Sequence, residues 1–574
     1  EIPVAFTTFL AIGAWRLMKM GIVVKQMKTV ETLGSATVIC VDKTGTITKN
    51  EMSLARLFVL ETGKFNDPNA EWGDQEKELI QYAMWASEPI PFDPMELALH
   101  KAYTRAIGED KRTKFTMRHE YPLGGQPPMM THIFEDGKGT RIIAAKGAPE
   151  AFLGISNLSE DEKSHTMEAV AKMAANGYRI LAVARAQYTG DDFPKKQQDF
   201  CFKLLGLVAF YDPPKANIES VFQDFYKAGI KVKIITGDNE ITSRAIAEQI
   251  NFRDRDKMID GASIMKLGDE SFQRKVNETS VFTRMFPEAK LRIVEALKTS
   301  GEIVAMTGDG INDGPALKAA NIGVAMGKKG TEIAKASAAL VLLEDDLSKM
   351  VDAVAMGRKI YANLKKAIQY VISIHIPIIL VVFIPLALGW IYPNIFTPVH
   401  VILLELIMGP TCSIIYENEP MEQFTMEQKP RPFRVTFFKW KELFTSILQG
   451  LMITIGALLV YGYAVSKGLD ESQTRTMVFT VLISANIFLT LVNRSFYFSI
   501  STTLKYKNQL VPLIILITTV LTGLLIYVKA FALFFAFEPL TSEQLGISMA
   551  AGFLFVIWYE GVKWSKRIAS RSNS

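Results

Sequence analysis

From about residue 367 onward the sequence carries six long apolar stretches, at about 367–392, 396–416, 443–466, 476–493, 510–529 and 546–562. A bilayer core is crossed by ~20 helical residues, with a range of ~17 to 25, so each stretch predicts a membrane-spanning helix. Pro377 and Pro385 in the first stretch and Gly409-Pro410 in the second interrupt the pattern. Carbonyls freed there need neighbouring protein or a polar cavity, unless the helix merely bends. The connection 392–397 has no Lys or Arg, whereas the loop 417–442 carries Lys429, Arg431, Arg434, Lys439 and Lys441. Such an excess marks the cytosolic side. Arg494, Lys505 and Lys507, then Lys563, Lys566, Arg567 and Arg571, repeat it. The tail and everything before residue 360 are therefore expected in the cytosol.

A chain of 574 residues exceeds a single core. Its 49% hydrophobic and 21% charged residues exclude a disordered chain and a wholly soluble one. Basic residues number 64 against 59 acidic, and no dense basic run occurs, so nothing argues for a nucleic-acid partner. Cys40, Cys201 and Cys412 lie far apart without metal-ligand spacing, which suits a reducing compartment and small apolar roles. Residues 1–15 are apolar and run into Arg16, Lys19 and Lys25 without the features of a signal peptide. They read as the end of a membrane helix. With no initiator methionine, the sequence is expected to be a fragment, or one half of a nicked or split protein.

Residues 23–360 alternate short apolar runs with helical pattern. The runs 37–41, 231–235, 302–306 and 322–326 each end in a polar or Gly-containing turn, the signature of a doubly wound parallel α/β sheet. About 190 residues separate the first two runs, so a second domain is expected between Glu51 and Gly206.

Three of those turns are acidic: Asp42-Lys43-Thr44-Gly45-Thr46, Thr236-Gly237-Asp238-Asn239, and Thr307-Gly308-Asp309-Gly310-Ile311-Asn312-Asp313. Ligands bind beyond the carboxyl ends of such strands. A single aspartate there would be explained as a helix cap; three converging turns are not. An aspartate attacking a phosphoryl group needs a divalent metal, hydrogen-bond donors and a nearby cation. Asp42 is the expected nucleophile. Asp309, Asp313 and the Thr44 carbonyl are expected to hold Mg²⁺ with it, Thr236 and Gly237 to donate to phosphoryl oxygens, and Lys290 to bring positive charge. A simple phosphatase of this fold would carry an acid two residues after the nucleophile. Thr44 stands there, so the aspartyl phosphate is expected to persist.

DKTGTIT, KGAPE, YDPPK, TGDN and MTGDGINDGPALK together resemble the P-type ATPases, over nearly the whole chain. The resemblance implies a haloacid-dehalogenase-like phosphorylation domain in two parts (23–50 and 207–360) around an inserted α+β nucleotide domain (51–206). It further implies the end of a fourth membrane helix (1–22) and the fifth to tenth helices (361–574). Phosphorylation falls to Asp42, with Lys43, Asp238 and Asn312 in the same motifs. Lys146 and Gly147 of KGAPE, Glu96 of Phe92-Asp93-Pro94-Met95-Glu96, and Arg179, with Asp238, are implied at the nucleotide. Tyr121 stands where the family has an aromatic residue on the adenine. The basic residues usual after it are replaced by Gly124-Gly125-Gln126-Pro127-Pro128.

Ionisable residues inside a span are costly and mark a transport path. Glu405, His375 and Asn486 are the candidates, and 360–420 resembles the fifth and sixth helices of calcium-type pumps. The resemblance makes Ca²⁺ the leading cargo, but Ile378 and Gly409 replace two carboxylates of those pumps, which weakens a standard calcium site since a hard dication wants ~6 to 8 oxygens. One Glu with a His would equally serve H⁺, the next cargo. Glu1-Ile2-Pro3 matches the end of the family's unwound motif in the fourth helix. No TGE motif occurs, so the actuator domain and first three membrane helices are expected on another chain or in a missing part. The whole implies an ATP-driven cation pump using ATP and Mg²⁺, multi-pass in a bacterial-type plasma membrane, its partners being lipid and the transported cation. Alternatives are a lipid flippase of the same family, a soluble phosphatase of the same fold, and a pump-like protein with an altered or lost ion site.

Overall fold

The computed structural model describes residues 2–91, 93–190, 192–410, 414–431 and 440–572. Glu1, Phe92, Cys412, Arg434 and Lys439, which figure in the sequence reading, lie outside them. The chain divides into two compact units, one of 37–226 with 230–348, the other of 1–36, 227–229 and 349–574.

In the first unit the strands are β1 (Val38–Asp42), β2 (Ser53–Val59), β3 (Lys64–Asn66), β4 (Thr116–Gly124), β5 (Met129–Glu135), β6 (Arg141–Gly147), β7 (Arg179–Ala186), β8 (Phe202–Tyr211), β9 (Lys231–Ile235), β10 (Met258–Asp260), β11 (Val281–Thr283), β12 (Val304–Gly308), β13 (Ile322–Met326) and β14 (Leu340–Leu342). A parallel sheet runs β14-β13-β12-β1-β9-β11-β10, and a seven-stranded antiparallel sheet runs β3-β2-β8-β7-β6-β5-β4. Every residue of β1, β12 and β13 is buried, as expected of strands covered on both faces. β1 lies between β12 and β9, with Ile235 opposite Asp42. This central position brings all three acidic turns to one edge. The antiparallel sheet continues to Tyr211 at the end of β8, past residue 206, because β8 pairs with β2 from Val59↔Gly206 to Ser53↔Tyr211.

The second unit is helical: α1 (Ile2–Lys19), α2 (Ser348–Ala387), α3 (Pro398–Pro410), α4 (Trp440–Ser466), α5 (Glu471–Asn493), α6 (Leu510–Tyr527) and α7 (Ser542–Ser572) are its principal helices. Five of them, α2 and α4 to α7, are long and apolar enough to cross a membrane. In the second of the six apolar stretches, helix α3 has 13 described residues, the last two being Gly409 and Pro410. Residues 349–360 cluster with this unit because α2 is continuous from Ser348. α2 also runs through Pro377 and Pro385. The Ser373 carbonyl, four residues before Pro377, faces Gly450 of α4, where a Cβ would come within 2.9 Å of it. A small residue thus lets the partner helix approach at the proline. α5 is the most buried of the five, 83% of its apolar window being covered. α7 approaches α5 closely, a Cβ at Gly552 reaching within 2.7 Å of Ser484. Cys40 is buried as expected of a small apolar residue, whereas Cys201 is exposed.

Candidate active site

Asp42 ends β1, and Lys43 turns away at once, its backbone N–H donating to Asp42 Oδ1 at 2.7 Å. The Asp42 N–H donates to Thr307 Oγ1 at 3.2 Å, tying β1 to β12. Lys290, on the helix Pro287–Thr299, reaches the same point: Nζ lies 2.8 Å from Asp42 Oδ2 and 2.7 Å from Asp313 Oδ1. Asp313 Oδ2 in turn accepts from the N–H groups of Asp309 and Gly310. The Asp238 carboxylate pairs with the Lys43 ammonium, and Thr236 Oγ1 accepts from Asp238 N–H. The three acidic turns and Lys290 therefore meet.

Asp42, Asp309 and Asp313 present oxygens within 4.8 Å of one another. Gly45, at φ +70°, lies beside them; a Cβ there would come within 2.3 Å of Asp309 Oδ2. The missing side chain keeps the space before Asp309 open. Hard oxygen donors around such an opening fit Mg²⁺.

The electrostatics agree. Burial, then the charges of Asp42 and Asp313, push the Asp309 carboxyl up to about 7. Burial raises Asp42 to about 6, against the opposing Lys290 charge. Burial also works against the Lys290 charge, yet the two carboxylates hold its pKa above the ordinary lysine value. Asp238 behaves oppositely: burial would raise it, but Lys43 and then Arg179 bring it below the usual range. Because Asp42 and Asp309 have folded values above the unfolded ~3.9, the metal-free fold holds extra protons and loses stability as pH rises from about 4 through about 7. In chelator the melting temperature should fall by several degrees between about pH 5 and about pH 7.5. Mg²⁺ should restore much of that loss at the higher pH and little at the lower. Equal Mg²⁺ effects at both values would contradict this.

In the antiparallel sheet, Lys146 Nζ lies 2.6 Å from Glu96 Oε1 and 2.7 Å from Ser87 Oγ, all buried. Burial holds the Lys146 ammonium below its ordinary value against the Glu96 charge. Gly147 follows at the end of β6, where a Cβ would come within 2.6 Å of the Pro128 carbonyl oxygen, so the close strand approach excludes a side chain. Arg179 is exposed at the start of β7, within electrostatic reach of Asp238. Asn312 and Gly237 are exposed in their turns.

Tyr121 is placed differently from expectation. It stands opposite Thr131, which stands opposite Ala145. Alternation along the strands puts it on the face away from Lys146. There its ring meets Phe200 edge-on at 5.8 Å and its hydroxyl donates to the Pro194 carbonyl. It is a core residue of this sheet. The Lys146 face instead carries Glu120 and the fully buried His132, which with Glu88 place ligand atoms within 4.8 Å of one another. Only register identifies these, since nothing in the local sequence marks them. Lys215, the last residue of the YDPPK run, donates through Nζ to the Gly45 carbonyl at 2.8 Å and the Asp345 carbonyl at 2.6 Å. Asp212 accepts from Thr48 Oγ1 at 2.5 Å and from Glu51 N–H. The YDPPK run thus holds the loop after Asp42.

In the helical unit, His375 Nε2 of α2 lies 2.9 Å from Glu405 Oε1 of α3. His375 Nδ1 lies 2.7 Å from the Val371 carbonyl and donates to it, leaving Nε2 to face Glu405. Asn486 of α5, buried, accepts instead from the Tyr370 hydroxyl.

Comparison with known proteins accords with this layout. The profile described as haloacid dehalogenase-like hydrolase matches residues 36–321, and that described as cation transporting ATPase, C-terminus, matches 393–565. A calcium-transporting ATPase of Listeria monocytogenes is 33% identical over 515 residues, covering 85% of this chain and 58% of that protein. Calcium-transporting ATPase 1 of Bacillus cereus is 30% identical, covering 99% of this chain and 67% of that protein. A probable cation-transporting ATPase F of Mycobacterium tuberculosis is 30% identical over 85% of this chain and 58% of its own length. The chain thus spans about three fifths of the length of the relatives it matches. From the acidic turns gathered around Asp42 to the apolar helices that follow them, the chain belongs to the P-type cation-transporting ATPases, in their calcium-pump-like branch.

Proposed function

We propose that the protein moves a cation, Ca²⁺ first, across a membrane by means of ATP and an aspartyl phosphate on Asp42. The observation that carries this reading is the buried Lys290 bridging Asp42 and Asp313 beside Asp309, in a chain that also holds membrane-length helices. Relatives named as calcium-transporting ATPases supply the cargo. Segments 23–50 and 207–360 are proposed as the phosphorylation domain, 51–206 as the nucleotide domain, 1–22 as the end of the fourth membrane helix and 361–574 as the fifth to tenth.

ATP use and Mg²⁺ dependence are general to this family. Asp42, Asp309 and the Thr44 carbonyl are proposed to hold Mg²⁺, which when bound screens the charge between carboxylate and γ-phosphate. An Asp42 oxygen then bonds to the γ-phosphorus as the bond to the ADP oxygen breaks. Lys290 neutralises the charge that gathers on the equatorial oxygens, while Thr236 and Gly237 orient them. Asp238 keeps Lys43 in place, and Lys146, Glu96, Gly147 and Arg179 serve the nucleotide. Thr44 offers no general acid, so the phosphoenzyme outlives the transfer.

Asp309→Ala should abolish phosphorylation while ATP affinity changes less than about threefold, since the nucleotide residues lie on the separate antiparallel sheet. Radiolabelling beside equilibrium ATP binding checks this; equal losses in both would refute the division of labour.

His375 and Glu405 are proposed as the cation path, with Asn486 behind them. An imidazole faces a carboxylate here at 2.9 Å, so a second reading has the proton as cargo or counter-ion. Glu405→Gln should lower apparent Ca²⁺ affinity by about tenfold or more in Ca²⁺-dependent phosphorylation, or flatten the pH profile if protons move instead. Unchanged ion and pH dependence would move the site elsewhere.

A further inference from the structure

Within the helical unit, a cavity of about 650 Å³ opens among α2, α4, α7 and the segment 422–431. Among the described residues its lining carries seven Lys or Arg side chains against two Glu. Both acids are engaged: Glu442 Oε1 lies 2.5 Å from Lys365 Nζ, and Glu422 Oε1 lies 2.5 Å from Lys366 Nζ. Arg431 is turned to Glu31 at 3.0 Å. The buried Arg358 donates only to the carbonyls of Thr425, Gln428 and Ala228 in the contacts described. Lys429 and Lys441 stand exposed on the lining, with no ion pair among the described residues. A strong positive surplus is thus built into a concave site.

Its depth identifies the ligand. The cations of α2 precede its apolar run, α4 begins at Trp440, and Lys566 lies near the end of α7. All three mark the side that the charge bias assigns to the cytosol. Trp440 is 86% exposed and Trp564 62% exposed at the same helix ends, where amphipathic rings sit at headgroup level. Phe444 and Leu451 continue as exposed apolar side chains along α4. A soluble anion would use the cations and leave this apolar run unused. A phospholipid uses both.

We propose that this cavity binds the phosphate headgroup of an anionic phospholipid of the cytosolic leaflet, its acyl chains lying along α4. Juxtamembrane cations each strengthen such binding, so neutralising two should weaken it about 30-fold.

The test is native mass spectrometry of the full chain in detergent, titrated with phosphatidylglycerol, with phosphatidylcholine as the zwitterionic comparison. Lys429→Gln/Lys441→Gln should weaken phosphatidylglycerol retention about 30-fold. Both residues are exposed, so the fold is not at stake. Lys467→Gln/Lys529→Gln removes equal charge at the other ends of α4 and α6 and should leave retention unchanged. Millimolar inorganic phosphate should not displace the lipid. Equal affinity in the two double variants, equal retention of phosphatidylcholine, or displacement by inorganic phosphate would each overturn the proposal, the last in favour of a soluble-anion site.

Discussion

Asp42→Asn is expected to eliminate the acid-stable, hydroxylamine-labile phosphoenzyme formed from Mg-ATP, a loss on the order of 10⁴ to 10⁶ in transfer. The substitution keeps size and shape, and its carbonyl oxygen can still accept from Lys43 N–H as Oδ1 does now at 2.7 Å. What disappears is the charged oxygen facing Lys290. An amide is a feeble nucleophile, and no other carboxylate replaces it, because Asp313 is held by two backbone N–H groups and Lys290. ATP binding should persist. Acid-quenched labelling of membranes carrying the protein checks this, and a label surviving in Asp42→Asn would remove the nucleophile from the account.

Lys290→Met should have the next largest effect, and on two quantities. The ammonium is buried and is the cation that bridges Asp42 and Asp313. Removing one partner of a buried charge cluster typically costs about 3 to 5 kcal/mol. Here the remaining carboxylates relieve part of that by taking up protons or binding Mg²⁺. The metal-free variant should therefore melt well below the parent at neutral pH and approach it in acid. Phosphoryl transfer should fall on the order of 10² to 10³, the usual cost of one preorganised charge-stabilising group. Differential scanning fluorimetry with and without Mg²⁺, beside phosphoenzyme rates, measures both. An unchanged melting temperature would show that Lys290 is not the counter-charge.

The phosphorylation site was legible because its parts are local: each acidic turn directly follows its own strand, and parallel order alone brings strand ends together. Lys290 was legible from its motif, and the geometry places its ammonium between two of those turns. The nucleotide face was less legible. Whether a β residue faces the site depends on register, and one position reverses it; Tyr121 fell on the far side, while His132 and Glu120 fell on the near one. Lys215 and Asp345 act through backbone carbonyls and N–H groups across long sequence separations, contacts that leave no pattern in the chain. The apolar stretches announced the membrane-length helices. Glu405 was visible as a charge within a span. Its partnership with His375 joins two helices, and only the packing supplies it.

Asp42 is proposed to carry a phosphoryl group whose formation is governed by a cation bound among the helices. Membranes carrying the protein would be incubated with labelled ATP and Mg²⁺ while Ca²⁺, Mn²⁺, Na⁺, K⁺ and pH are varied, quenched in acid, and the label mapped by peptide mass spectrometry. Label is expected on the peptide containing Asp42, sensitive to hydroxylamine and rising with Ca²⁺. Label on another residue, or label on Asp42 indifferent to every cation and to pH, would contradict it.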